Sequence, residues 1–124
     1  LPPSLIDTKI SPGVLNDGGI ILGAGGVIVL DDSIAIIDSV KHLADYNADE
    51  SCGKCTPCRE GTPKLVELID KFIVKNATDD DLKELQTLAT IIKDSSLCGL
   101  GQAAGNPVFS LIRFFNDQLL TKAN

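Results

Sequence analysis

Four cysteines constrain this chain more tightly than any other feature. Cys52, Cys55 and Cys58 sit three apart in ESCGKCTPCREGT (residues 50–62), and the remaining thiol, Cys98, stands alone in SLCGLG. For all four to act together, the chain must travel away from the triplet and come back to the same place. The residues between them are patterned to do this. Leu65, Leu68, Ile69, Phe72 and Ile73 form one apolar stripe at helical spacing, and Leu82, Leu85, Leu88, Ala89 and Ile92 form a second. Two helices of about 15 residues, roughly 22 Å each at 1.5 Å per residue, climb away and return. The fourth thiol is thereby brought back to the first three.

Local signals set the ends of these helices. Thr56 with Pro57 resembles an N-cap followed by the first helical residue, which would leave Pro63 inside the helix at the loss of one hydrogen bond; Thr62 with Pro63 would make a later start. We expect the earlier start, inside the cysteine loop. Asn76 and Ala77 end this helix, and Thr78 caps the next, which carries Asp79, Asp80 and Asp81 in a first turn whose dipole favours acids and runs to about Lys93.

Two more stripes flank the pair. From Ser33 onward Ile36, Val40 and Leu43 share a face, with Ile37 and Ala44 beside them, and Asp31, Asp32 or Ser33 is available as a cap. Residues 95–105, SSLCGLGQAAG, read as a loop, after which Asn106 and Pro107 resemble N-cap and N1 ahead of Val108, Leu111, Ile112, Phe115 and Leu119. Four amphipathic helices on short connections predict a mainly α fold, an antiparallel bundle over residues 33–124 with both cysteine loops at one end. Residues 1–32 differ in texture: Pro2, Pro3, Pro12 and Gly13 punctuate the start, and GAGGVIVLD (residues 23–31) reads as a glycine turn feeding a short strand at Val27–Leu30. A dinucleotide-binding loop is excluded there, because those glycines follow a strand and open a helix, whereas these precede the strand.

Composition closes off other classes. With 44% hydrophobic residues the chain reads as one globular domain, and its longest apolar run, Gly18 to Leu30, is too short and glycine-rich for a membrane span. The N-terminus has no basic start or continuous apolar stretch, so no targeting signal is read, and the absence of methionine suggests a fragment or processed chain. Seventeen acidic residues against 11 basic give a net charge of −6, which argues against nucleic acid as a partner. His42, the sole histidine, reads as an exposed helical residue rather than a ligand.

Three readings of the thiols remain open at this point. Disulfides suit four cysteines arithmetically, but nothing signals secretion and a helical core does not need staples. A zinc ion takes four thiolates, although such sites more often present two separated pairs. An iron–sulfur cubane suits the triplet, since three thiolates two residues apart can each bind a different iron while a remote fourth closes the set. Such a site would carry about −2 in its oxidised form, which backbone N–H groups and Lys54 or Arg59 would moderate, unless those two are simply solvated.

These residues also carry a resemblance. ESCGKCTPCREGT, with SLCGLGQ (residues 96–102) and Asn106-Pro107 downstream, closely resembles the C-terminal part of the NADH-binding flavoprotein subunit of complex I, and the related diaphorase subunits of NAD-reducing and electron-bifurcating hydrogenases and of NAD-dependent formate dehydrogenases. GAGGVIVLDD (residues 23–32) extends the likeness, and PSLIDT (residues 3–8) is similar to the hydrogenase-type members. The resemblance implies that Cys52, Cys55, Cys58 and Cys98 bind one [4Fe-4S] cluster, which takes single electrons from FMN on the NADH side and passes them to iron–sulfur centres of a partner subunit. It places Gly99 and Leu100 near the flavin, and makes residues 1–32 the tail of a ubiquitin-like (SLBB) β-rich domain. The family's flavin- and NADH-binding region has no counterpart in these residues, so no hydride transfer is assigned and the segment is not catalytic alone. A location in the cytoplasm or an organelle matrix, within or peripheral to a complex, is implied. A non-redox docking module with structural zinc is the alternative. Gly105 departs from the family, which often has proline there; we expect a relaxed loop that touches no ligand.

Overall fold

The computed structural model describes residues 2–11, 26–31 and 33–120. After a 3-10 turn at Pro3–Leu5 it forms α1 (Ile36–Asp49), α2 (Thr56–Ile73), α3 (Asp79–Ser95), α4 (Gly99–Ala104), α5 (Asn106–Phe114) and α6 (Asn116–Leu120). Helix α1 packs on α2 and α5, and α3 packs on the same two, which closes a four-helix bundle. The short connections make the neighbours antiparallel. Helices α2 and α3, with 18 and 17 residues, are about 26 Å long, somewhat longer than the sequence spacing indicates.

The stripes supply the core. Leu65, Leu68 and Ile69 of α2 meet Leu85, Ala89 and Ile92 of α3, and Val40, Ala44, Val108 and Leu111 complete the layer. Each fully buried leucine or isoleucine contributes about 1.5–3 kcal/mol relative to exposure. Leu43, expected to point inward, is only partly covered, while Ile36, Ile37, Leu88, Ile112, Phe115 and Leu119 pack on the margin.

The α2–α3 turn is closed from both sides. Lys75 takes a left-handed conformation (φ 56°) after the end of α2, and the Asn76 N–H reaches back to the Lys71 carbonyl at 2.9 Å. Thr78 and Asp81 then make a reciprocal capping box: Asp81 N–H donates to Thr78 Oγ1 (3.2 Å) and Thr78 N–H to Asp81 Oδ2 (2.8 Å). Lys71 Nζ donates to Asp81 Oδ1 at 2.6 Å, tying the two helices together.

Several expectations are corrected. Helix α2 does begin inside the cysteine loop and continues through Pro63, but its N-cap is Cys55, with Thr56 as the first helical residue. Pro63 lies on the exposed face of α2, and the carbonyl its ring leaves unpaired belongs to Arg59, which is exposed as well. Helix α1 starts at Ile36 without a side-chain cap; Asp31 instead accepts from the Ser33 N–H and hydroxyl in a turn upstream, and Asp32 lies outside the described residues. The stretch after α3 is not all loop, since residues 99–104 form α4. The last stripe is not one helix either: at Phe115 (φ −137°) the chain leaves α5 and restarts as α6. Residues 26–31 run as irregular chain with Val27, Ile28 and Val29 exposed, so the strand expected at Val27–Leu30 does not form, and no strand occurs among the described residues. Among the described residues this apolar run has no edge to pair with. Most of the glycine turn before it, residues 23–25, lies outside the described residues.

Candidate metal centre

The cysteine end of the bundle is built from a turn and two helix starts. After α1, Gly53 adopts φ 73°, a conformation that a residue without Cβ reaches at no steric cost, and this reverses the chain between Cys52 and Lys54. Arg59 braces the turn: its Nη1 donates to the Gly53 carbonyl at 2.8 Å and its Nη2 reaches Thr56 Oγ1 at 3.4 Å. Arg59 is therefore a staple for the loop rather than a free countercharge. Cys55 caps α2 and Cys58, one turn on, is buried; Cys98 caps α4 and, like Cys52, is exposed.

All four are free thiols and all four line one cavity of about 100 Å³, together with Glu50, Ser51, Lys54 and Leu100. The return predicted from two helix lengths thus brings the loop after α3 against the loop before α2. Lys54 is the cation in the wall. Gly99 lies beside Cys98 at the start of α4, exposed and with open space where a side chain would stand, and Leu100 is half-buried in the cavity wall. His42 is exposed on α1, away from the thiols.

Electrostatics favour thiolate at Cys55. Proximity to the backbone N–H of Leu97, then to that of Cys58, holds the Cys55 thiol below its usual range; burial opposes this, and the nearby Ser96 hydroxyl adds a lesser effect in the same lowering direction. Ser51 Oγ lies 3.2 Å from Cys58 Sγ. Ser96, 6% exposed, packs its buried hydroxyl against Gly101 without closing a regular hydrogen bond. Gly101 makes this approach possible: a Cβ there would stand 2.3 Å from Ser96 Oγ, 2.5 Å from Ser96 Cβ and 3.3 Å from Cys58 Cβ.

Ser51, Ser96 and Gly101 escaped the sequence reading, because a serine or glycine beside a cysteine has no periodicity that separates a contact from a solvated turn. Gly105 is not in a relaxed loop either. It is buried, and a Cβ there would approach the Ala89 carbonyl oxygen to 2.9 Å.

The donor set fits a sulfur-ligated group: four thiols and no imidazole surround the cavity. Among the described residues no three His, Cys, Asp or Glu converge on a point suited to a single ion.

Residues 38–122 match the model of the NADH-ubiquinone oxidoreductase-F iron-sulfur binding region. The chain is 42% identical over 98 residues to an NADP-reducing hydrogenase subunit, HndC, of Solidesulfovibrio fructosivorans, covering 79% of this chain and 20% of the relative. It is 37% identical over 119 residues to an NADH-quinone oxidoreductase subunit of Rickettsia rickettsii, covering 96% of this chain and 28% of the relative. Among solved structures it resembles an NAD+-reducing [NiFe]-hydrogenase in the H2-reduced state, with a TM-score of 0.72 and 41% identity over 77% of this chain and 16% of that one. The chain thus spans less than a third of the length of these relatives. No helix among the described residues is long and apolar enough to cross a membrane.

Proposed function

The chain belongs to the NADH-ubiquinone oxidoreductase-F iron-sulfur binding family, and from that premise we propose that Cys52, Cys55, Cys58 and Cys98 hold a single [4Fe-4S] cluster in a one-electron relay. The observation that carries the reading is the convergence of four free thiols on one cavity at the end of the bundle. When bound, the cluster supplies the acceptance and release of one electron at a time. The chain's own residues do the rest. The four thiolates anchor it from two loops that the α2–α3 hairpin holds together. Backbone N–H groups of Leu97 and Cys58 and the Lys54 ammonium offset the negative charge of the site.

In the same reading the exposed Gly99, with open space above it, and Leu100 in the cavity wall face FMN in an upstream flavin and NADH domain. The electron leaves to iron–sulfur centres of a partner subunit. Residues 1–32 are the tail of a ubiquitin-like domain, consistent with the unpaired apolar side chains of Val27 and Val29. The relay works in the cytoplasm or an organelle matrix.

Anaerobic isolation from the natural source tests the reading. A brown protein with about four irons and four sulfides per chain, bleaching on reduction, supports it. One zinc per chain without iron or sulfide would replace it with a structural docking module.

A further inference from the structure

We propose that the hydroxyls of Ser51 and Ser96 donate to the sulfurs of Cys58 and Cys55 and thereby set the reduction potential of the cluster. This rests on the ligand assignment above and adds two residues that act through the ligands.

The donor direction at Ser51 follows from its other contact. The Gly53 N–H points to Ser51 Oγ at 3.4 Å, occupying an acceptor position on the oxygen and leaving its hydrogen free for Cys58 Sγ at 3.2 Å. A ligating thiolate has no hydrogen and can only accept. Gly53 is held in turn by Arg59 on its carbonyl, so Arg59, Gly53, Ser51 and Cys58 form one connected set of contacts.

Ser96 makes the matching approach from the other loop. Its hydroxyl is buried and lacks a regular partner, a state disfavoured unless an acceptor is supplied. Its backbone is fixed by the Ser96 N–H on the Ile92 carbonyl (3.1 Å) and by Gln102 Nε2 on the Ser96 carbonyl (3.1 Å). The space around it is kept by Gly101. A thiolate sulfur of the ligand set, assigned in this proposal to Cys55, supplies the acceptor that such a buried hydroxyl requires.

One-electron reduction adds negative charge that spreads onto the thiolate sulfurs, so each O–H···S bond strengthens on reduction. Removing one should make the site harder to reduce.

The test is redox titration of the cluster-loaded protein at its natural full length, comparing wild type with Ser51→Ala, Ser96→Ala, the double variant and the hydroxyl-retaining Ser51→Thr. Each alanine variant is expected to lose about tenfold in the equilibrium constant for reduction, about 59 mV for one electron. The double variant should lose about a hundredfold, about 118 mV, because the hydroxyls reach different sulfurs, and Ser51→Thr should stay near wild type. A loaded alanine variant with unchanged potential overturns the assignment for that serine. If neither alanine variant holds a cluster, the serines are assembly determinants and the proposal is likewise overturned. A wild type without any reducible cluster would instead overturn the ligand assignment itself.

Discussion

Gly101→Ala tests whether the approach of α4 to the cysteine end is needed to close the metal site. The added Cβ would stand 2.5 Å from Ser96 Cβ, where ordinary contact begins at 3.4 Å. The hydroxyl of Ser96 can rotate away, but its Cβ is fixed to the backbone, so α4 must retreat by about 0.9 Å. Overpacking of this kind costs about 1–3 kcal/mol, and replacing a helical glycine by alanine returns about 1 kcal/mol. The net change in fold stability is therefore about 0–2 kcal/mol, with the helices intact. The displacement falls on Cys98, which caps the same short helix, so its main consequence is at the metal. We expect an unchanged circular dichroism spectrum, a melting shift of about 0–8 °C, and cluster loss in air at least several times faster than wild type. Wild-type cluster content and lifetime in Gly101→Ala would refute the argument.

The other predictions concern the bundle and its ligands. Cys98→Ser should lose most of its iron while keeping its helical content, because every long helix carries its own buried stripe and Cys98 itself is exposed; iron analysis beside circular dichroism checks this. Lys75→Gly should stabilise the protein by about 0.5–1 kcal/mol in urea, since glycine adopts the left-handed conformation at the end of α2 without the Cβ penalty. Thr78→Ala should cost about 1 kcal/mol in the same urea assay, through the lost cap. For Asp81, the Lys71 ammonium first, then the Thr78 hydroxyl and N–H, hold the carboxyl well below the usual carboxylate range. A depressed folded pKa contributes stability above the unfolded value of about 3.9 and loses it as pH falls further. Asp81→Asn should thus unfold at lower urea than wild type at pH 7, with the gap narrowing as pH drops below about 4.

The parts of the fold legible in the sequence are those with a period or a reciprocal local signal. Leu65, Leu68 and Ile69 against Leu85, Ala89 and Ile92 announce a hairpin because burial repeats every three to four residues, and Thr78 with Asp81 announces a helix start three residues apart. Other features depend on what lies opposite. Val27–Leu30 has strand-like composition, but a strand exists only with a partner edge. Residues 99–104 contain two glycines and read as loop, yet Gly101 is there for close packing against Ser96 and Cys58, within a helix. The stripe from Val108 to Leu119 stays in phase across Phe115, so periodicity could not reveal the break. At the metal end, cysteine spacing predicted which thiols would meet, and the structure does bring them to one cavity. Ser51 beside the Cys58 sulfur and the buried, unpartnered hydroxyl of Ser96 were invisible because their meaning comes entirely from three-dimensional contact.

The cluster assignment meets its hardest test in Mössbauer spectroscopy of protein isolated anaerobically from a natural source grown on 57Fe. About four irons per chain are expected, all in one cubane cluster that takes up a single electron on reduction. An iron-free protein holding zinc on its four sulfurs, or a cluster with fewer irons under conditions that protect it from air, would contradict the assignment.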